Sequence, residues 1–425
     1  MKAVLVERQL HRFAAARAAS LIAGSTSGVR FGPARLVEIE PFEAPGRNWR
    51  HIAVELAGIC GSDLATLDGA SSRFFESIVS FPFVLGHEIL GKALDGPLAG
   101  SRIVIEPVLG CLAREIDPPC PACSAGEKGA CERIAFGHIQ PGLQTGFCTD
   151  TGGGWSEELV AHDSQIHPVP DALSDEAAVL VEPTACAIHA AGRANLAPGE
   201  HVVVLGAGTL GLLTIAALRA HFLPATIIAV AKHPVQRDFS ESLGADIVAK
   251  PDEATRAVRR VTGALAVTND AGRIERLAGG ADVVFDCVGS GASIAQSLEL
   301  VRQKGRIVLV GMPGSLRVDL APLWQREVSL LGAYAYGTER VTEGTRSTFD
   351  LAFDLVQVAN LERLVSAHYP LERYDEAVRH AGAAGRRGSV KIVFDIRRSV
   401  LRRSPSRTKA DHSTHHEVRE EGTIT

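Results

Sequence analysis

The chain has no run of about eighteen uncharged apolar residues, so nothing in it reads as a helix that crosses a bilayer. Its opening, Met1-Lys2-Ala3-Val4-Leu5-Val6-Glu7-Arg8, holds too short an apolar run for the core of a signal peptide. An excess of charge of one sign is also missing: 44 Lys and Arg face 49 Asp and Glu, for a net charge of -5 and a pI near 6.3. That balance gives no global attraction to nucleic acid or anionic lipid, and neither is expected as a partner. Cysteine is too scarce for a disulfide scaffold, with eight in 425 residues. Four of the eight fall between 111 and 131, which points to metal ligation instead. No internal repeat is evident. With 46% hydrophobic and 22% charged residues, most of the chain is not disordered, and its length suffices for two or three domains. A soluble, cytoplasmic protein is expected.

Residues 1–170 alternate short apolar runs with turn residues, as in His51 to Gly58 and Gly100 to Pro107, which suits a mostly β domain. Near Ser174-Asp175-Glu176 a helical texture begins. From His201 the runs Val202 to Leu205, Ile227 to Val230, Val283 to Val288 and Ile307 to Val310 alternate with helical stretches, the pattern of a parallel α/β sheet over 171–332. Residues 333–396, with a helical stretch at Arg346 to Ala359 and a strand-like run at Ser389 to Phe394, are expected to rejoin the first domain. The basic then polar stretch 397–425 carries no interleaved aromatics and reads as a disordered tail rather than a nucleic-acid or membrane patch.

Val202-Val203-Val204-Leu205 leads into Gly206-Ala207-Gly208-Thr209-Leu210-Gly211, a G-x-G-x-x-G sequence between a strand and an apolar helical run. Gly206 would make the tight turn, Gly208 would admit a pyrophosphate, Gly211 would let helix and strand pack closely, and Thr209 and Leu210 would open the helix. The acid that bonds the ribose hydroxyls of NAD is expected some twenty residues on. There the chain reads Ala231-Lys232. Loss of a carboxylate and gain of a cation favour NADP, with NAD as the alternative.

Cys60-Gly61-Ser62-Asp63, Gly86-His87-Glu88 and Val181-Glu182-Pro183 offer thiolate, imidazole and carboxylate, the mixed set of a catalytic zinc that keeps one position open. Together with the glycine loop, in this order, these motifs resemble the zinc-dependent medium-chain alcohol dehydrogenases, especially the branch of sorbitol, threonine and glucose dehydrogenases. The similarity runs from Met1 to about Asp395. It implies an α/β protein with a GroES-like, mostly β catalytic domain and a Rossmann domain with a doubly wound parallel sheet, assembled as a homodimer or homotetramer. Cys60 and His87 would be ligands of the catalytic zinc, Glu88 and Glu182 alternative or exchanging ligands, Ser62 the start of a proton relay, and Asp63 the residue that orients the site. Hydride would pass between the carbinol carbon of an alcohol and the nicotinamide. Glu182 stands where simple alcohol dehydrogenases have cysteine, a harder ligand that leans towards polyols, with amino alcohols and simple alcohols as alternatives. A zinc- and nucleotide-binding module without catalysis is the competing class, and it leaves Cys60, His87 and Glu182 without a role.

Cys120, Cys123 and Cys131 resemble the structural zinc loop of the same family. The family's first cysteine is replaced by Asp117, so the fourth ligand is either Cys111 or Asp117, with a zinc-free surface loop of reduced thiols as the remaining alternative. The Ala-rich stretch from His11 to Gly28 makes the approach to Cys60 longer than is usual for the family, as an added helix or a loop.

Overall fold

The computed structural model describes residues 1–268, 270, 274–341 and 344–401. In the first part, the strand Trp49–Gly58 is the hub of a seven-stranded sheet. Ile52, Val54 and Leu56 are buried while Ala53 and Glu55 are less so, the two-residue alternation of a strand with one face on a core. It pairs antiparallel with Ile89–Ala93, Glu158–His162 and Lys391–Asp395. The last of these joins residues more than 300 positions apart, so the chain returns to its first sheet after the second is complete. Lys2–Val6, Ala34–Glu38 and Phe83–Val84 form a smaller sheet beside it.

The second sheet has six parallel strands in the spatial order Ile247–Ala249, Thr226–Val230, His201–Leu205, Ala281–Asp286, Val301–Leu309 and Ser329–Gly332. Its strands are apolar on both faces because both faces are covered. Val202 and Val204 belong to one apolar cluster, Val203 and Leu205 to another on the opposite side. Winding proceeds outward in one direction from His201–Leu205 and in the other from Ala281–Asp286, which leaves a crevice where their carboxyl ends part. The helix Val181–Arg193 packs between Thr209–Ala217 and Thr348–Val358 and ties the two parts together.

The stretch read as an added helix or loop is a helix, Leu10–Ala23, with Ala16 its buried residue. Its N-cap, Gln9, makes no side-chain capping bond, so the usual start signal is absent from the sequence. Asp68 secures the turn that follows, accepting from Thr26 N at 2.8 Å and Ser25 Oγ at 2.6 Å. The disordered reading from 397 begins too early. Arg397–Leu401 is a short helix, held because Arg397 donates to Asp175 at 2.7 Å and to Asp395 at 3.0 Å and Ser399 donates to Glu372 at 2.9 Å. The remainder of that reading, 402–425, lies outside the described residues. Among the described residues no helix is long and apolar enough to cross a membrane.

Candidate active site

Cys60 stands where the strand Trp49–Gly58 gives way to the helix Gly61–Leu67. As N-cap it receives the Asp63 side chain, whose Oδ2 accepts from Cys60 N at 2.9 Å and fixes the turn. His87 and Glu88 precede the neighbouring strand Ile89–Ala93, and antiparallel pairing carries them alongside Cys60. Ligand atoms of Cys60, His87 and Glu88 all lie within 4.8 Å of one another. Asp63 is fully buried with Oδ1 3.5 Å from His87 Nδ1, a carboxylate that orients the ring so that Nε2 faces outward. Ser62 Oγ lies 3.5 Å from that Nε2. Burial alone would lower the pKa of His87, but the charges and hydrogen bonds of Asp63 and Cys60 outweigh it and raise the pKa well above the ordinary value.

Glu182, at the start of the helix Val181–Arg193, borders the same cavity but is not one of the three mutually close ligands. Its Oε1 accepts from the Cys186 thiol, one turn on, at 3.4 Å. Burial pushes its pKa up to about 7; His87 pulls against that shift and Glu88 adds to it. Glu88 is ion-paired with Lys391, both almost fully buried. Lys391 Nζ also donates to Ile59 O at 3.1 Å. Sequence reading missed Lys391 and Cys186. The helical period placed Cys186 one turn from Glu182, whereas no local signal marked Lys391. A thiol, an imidazole and a carboxylate converging on one buried point, with Glu182 bordering the same cavity, fit a zinc ion with a position left for substrate.

The second cluster is closed by Cys111: the thiols of Cys111, Cys120, Cys123 and Cys131 lie within 4.8 Å of one another, and Asp117 is not among them. Cys120 N donates to Cys111 Sγ at 3.3 Å. Burial acts to raise the Cys120 thiol, yet the main-chain N–H groups of Cys123 and Glu132 bring it down to about 6, whereas burial pushes the Cys123 and Cys131 thiols up. Four converging thiols fit a closed, structural zinc. The buried Arg114, unforeseen from the sequence, gathers the surrounding loop by donating to the carbonyls of Leu109 at 2.9 Å, Phe136 at 2.8 Å and Gly142 at 2.7 Å.

At the crevice of the parallel sheet, Gly206 adopts φ +93°, a conformation side chains resist. A Cβ on Gly211 would come within 1.9 Å of Gly206 O, so helix and strand touch there through bare backbone. A Cβ on Gly208 would meet nothing, leaving the N-terminus of the helix Thr209–Ala217 open to a phosphate. Thr209 begins that helix and Leu210 borders the cavity. Ala231, fully buried, follows the next strand and donates its N–H to Ala249 O at 2.9 Å. Lys232 is exposed beside it. Arg237 donates to Lys232 O at 2.9 Å. Around His233, burial first and then the charges of Lys232, Arg386 and Arg237 lower the imidazole pKa, which marks a locally positive strand end. These surroundings fit a dinucleotide. One cavity of about 510 Å³ joins the two halves, bordered by Cys60, Ser62 and His87 on one side and by Leu210, Val288 and Met312 on the other.

Residues 46–171 match the alcohol dehydrogenase GroES-like domain and residues 209–355 match the zinc-binding dehydrogenase family. The chain is 30% identical over 290 residues to an uncharacterized zinc-type alcohol dehydrogenase-like protein of Haemophilus influenzae, covering 65% of this chain and 73% of that protein. It is 27% identical over 361 residues to a sorbitol dehydrogenase of Bacillus subtilis, covering 82% and 91%. Among solved structures, a 2R,3R-butanediol dehydrogenase of Bacillus subtilis superposes with a TM-score of 0.65 at 23% identity, over 93% of this chain and 99% of that one, a likeness of fold.

Proposed function

This chain belongs to the zinc-binding medium-chain alcohol dehydrogenase family, with its GroES-like and Rossmann parts, and we propose from that premise that Cys60, His87, Glu88 and Glu182 hold the catalytic metal of a dehydrogenase that interconverts a secondary alcohol and its ketone with NADP. The observation that carries the reading is the shared cavity, which is lined both by Cys60, His87 and Glu88 and by Leu210 of the glycine loop. When bound, zinc supplies Lewis acidity towards the substrate oxygen, and the nicotinamide exchanges the hydride. The residues do the rest. Asp63 fixes the His87 ring, Ser62 brings a hydroxyl into the cavity 3.5 Å from His87 Nε2 to pass on the substrate proton, and the apolar lining keeps water from the transfer. Cys111, Cys120, Cys123 and Cys131 are assigned to a second, structural zinc.

NADP is preferred in this reading because Ala231 offers no carboxylate to repel a 2′-phosphate while Lys232, Arg237 and Arg386 surround the strand end with positive charge. We further assign the cytoplasm as its compartment, since none of the eight cysteines is paired in a disulfide, and a homodimer or homotetramer as its assembly.

The test is absorbance at 340 nm with a panel of alcohols and both cofactors on zinc-loaded protein. Cys60→Ser should abolish turnover while cofactor binding stays measurable, because the thiol holds the metal and not the dinucleotide. Turnover at the wild-type rate would remove Cys60 from the ligand set. Wild-type kcat/KM should be higher with NADP than with NAD, and Ala231→Asp should lower that ratio about tenfold by repelling the phosphate and bonding the ribose. A wild-type ratio well below one would overturn the cofactor assignment.

A further inference from the structure

Resting on the dehydrogenase reading above, we infer that the helix Leu10–Ala23 is a wall of the substrate pocket, and that the pocket it closes takes an alcohol or ketone bearing an aromatic ring rather than an open-chain polyol. Arg8, Leu10 and Phe13 border the same cavity as Cys60, Ser62 and His87. A continuous path of rings joins the two ends. His87 lies 5.9 Å from Phe147, Phe147 5.3 Å from Phe83, Phe83 4.9 Å from Phe81, and Phe81 6.4 Å edge-on from Phe13. The helix therefore supplies the last ring of an apolar wall that starts at the metal site. Spacings of this order are those at which an inserted aryl group finds faces and edges to pack on.

Several polar groups along the cavity already have partners in the protein. Thr66 Oγ1 donates to Ser62 O and lies 3.2 Å from Ser71 Oγ. Ser72 Oγ accepts from Phe74 N. Gln144 Oε1 accepts from Tyr334 at 3.4 Å. Glu76 pairs with Arg73 at 3.2 Å and with Arg8 at 3.7 Å, which links the stretch before the helix to the segment Arg73–Ser77. A polyol would bring several hydroxyls against this wall of rings, and each hydroxyl left unpaired there opposes binding. A phenyl-substituted secondary alcohol brings one hydroxyl, which goes to the metal site, and a ring, which goes to the wall.

The experiment measures kcat/KM on zinc-loaded enzyme for 1-phenylethanol, sorbitol and 2-propanol with both cofactors, and calorimetric binding of 1-phenylethanol and sorbitol to the cofactor-saturated protein. Expected is a preference for 1-phenylethanol over sorbitol of about 100-fold in kcat/KM, with the same order in binding. Phe13→Ala should lower the ratio of 1-phenylethanol to 2-propanol efficiency about tenfold, and Leu10→Ala should lower it less. Should Phe13→Ala fail to fold, Phe13→Leu and Leu10→Ala decide the matter. Sorbitol preferred over 1-phenylethanol would overturn the inference and leave the dehydrogenase reading intact. Ratios unmoved in every folded variant would remove the helix from the pocket. No oxidation of any alcohol with either cofactor would overturn both readings together.

Discussion

At the scale of single residues, the least foreseen part of the site is the Lys391–Glu88 pair. Burying two charges is tolerable only when they satisfy each other, and here both are almost wholly withdrawn from water. Glu88 and the nearby Cys60 and Asp63 raise the Lys391 pKa, overcoming the burial that would lower it, so the ammonium form is the one present. In the metal-free protein, removing one member leaves the other charged and unpaired, at a cost of about 3 kcal/mol or more. Lys391→Met should therefore lower the thermal midpoint by roughly 5 °C or more, read by differential scanning calorimetry. Adding Glu88→Gln to that variant should recover part of the loss, since the orphaned charge is gone. Equal midpoints for wild type and Lys391→Met would mean that water or another cation satisfies Glu88. Nothing near Lys391 in the sequence announces this role: Ser389-Val390-Lys391-Ile392-Val393-Phe394 looks like any half-buried strand, and the partner lies more than 300 residues away.

At the scale of elements, legibility follows how local the constraint is. Gly206 to Gly211 could be read directly because a tight turn and a strand-to-helix contact demand glycine at fixed offsets within six residues. Cys60 and His87 were legible as residue types, but their meeting depends on two strands pairing antiparallel, which a motif in one strand does not encode. The helix Leu10–Ala23 stayed undecided between helix and loop because its start carries no capping side chain and Ala16 is its buried residue, leaving little of an apolar stripe. The loop from 111 to 131 is an intermediate case. Spacing identified Cys120, Cys123 and Cys131, but Cys111 joins them only because the chain loops back and Arg114 gathers its carbonyls. If that loop is built around zinc, metal analysis should find two zinc ions per active chain. Cys123→Ser should then bind one, melt several degrees lower and keep its cofactor affinity, because the loop's metal contributes to folding and not to the dinucleotide site. At most one zinc in fully active wild-type protein would refute the second site.

At the scale of the whole molecule, the parallel sheet has an unfinished edge. Among the described residues Ser329–Gly332 pairs on one side only, with Val301–Leu309, and its outer side carries no strand. An unpaired edge is a template for another strand, and proteins that remain monomeric usually blunt theirs with charge, proline or a covering loop. This one is Ser329-Leu330-Leu331-Gly332, without a charge, and Leu330 is 41% exposed. Next to it in sequence the helix Ala321–Gln325 presents Trp324 at 80% exposure, preceded by Leu320 at 57%. Large apolar side chains left in water beside an open edge are the composition of an interface core, in which Trp in particular tends to dominate the energy. A second copy related by a two-fold axis would meet the edge with the same edge, so each strand would supply what the other lacks. Light scattering coupled to size exclusion should give a dimer or a multiple of it for the wild type. Leu330→Lys together with Trp324→Ala should shift the mass to a monomer, since the new charge would face its own copy across the axis. A wild type that is monomeric at micromolar concentration, or a double variant that stays dimeric, would place the interface elsewhere.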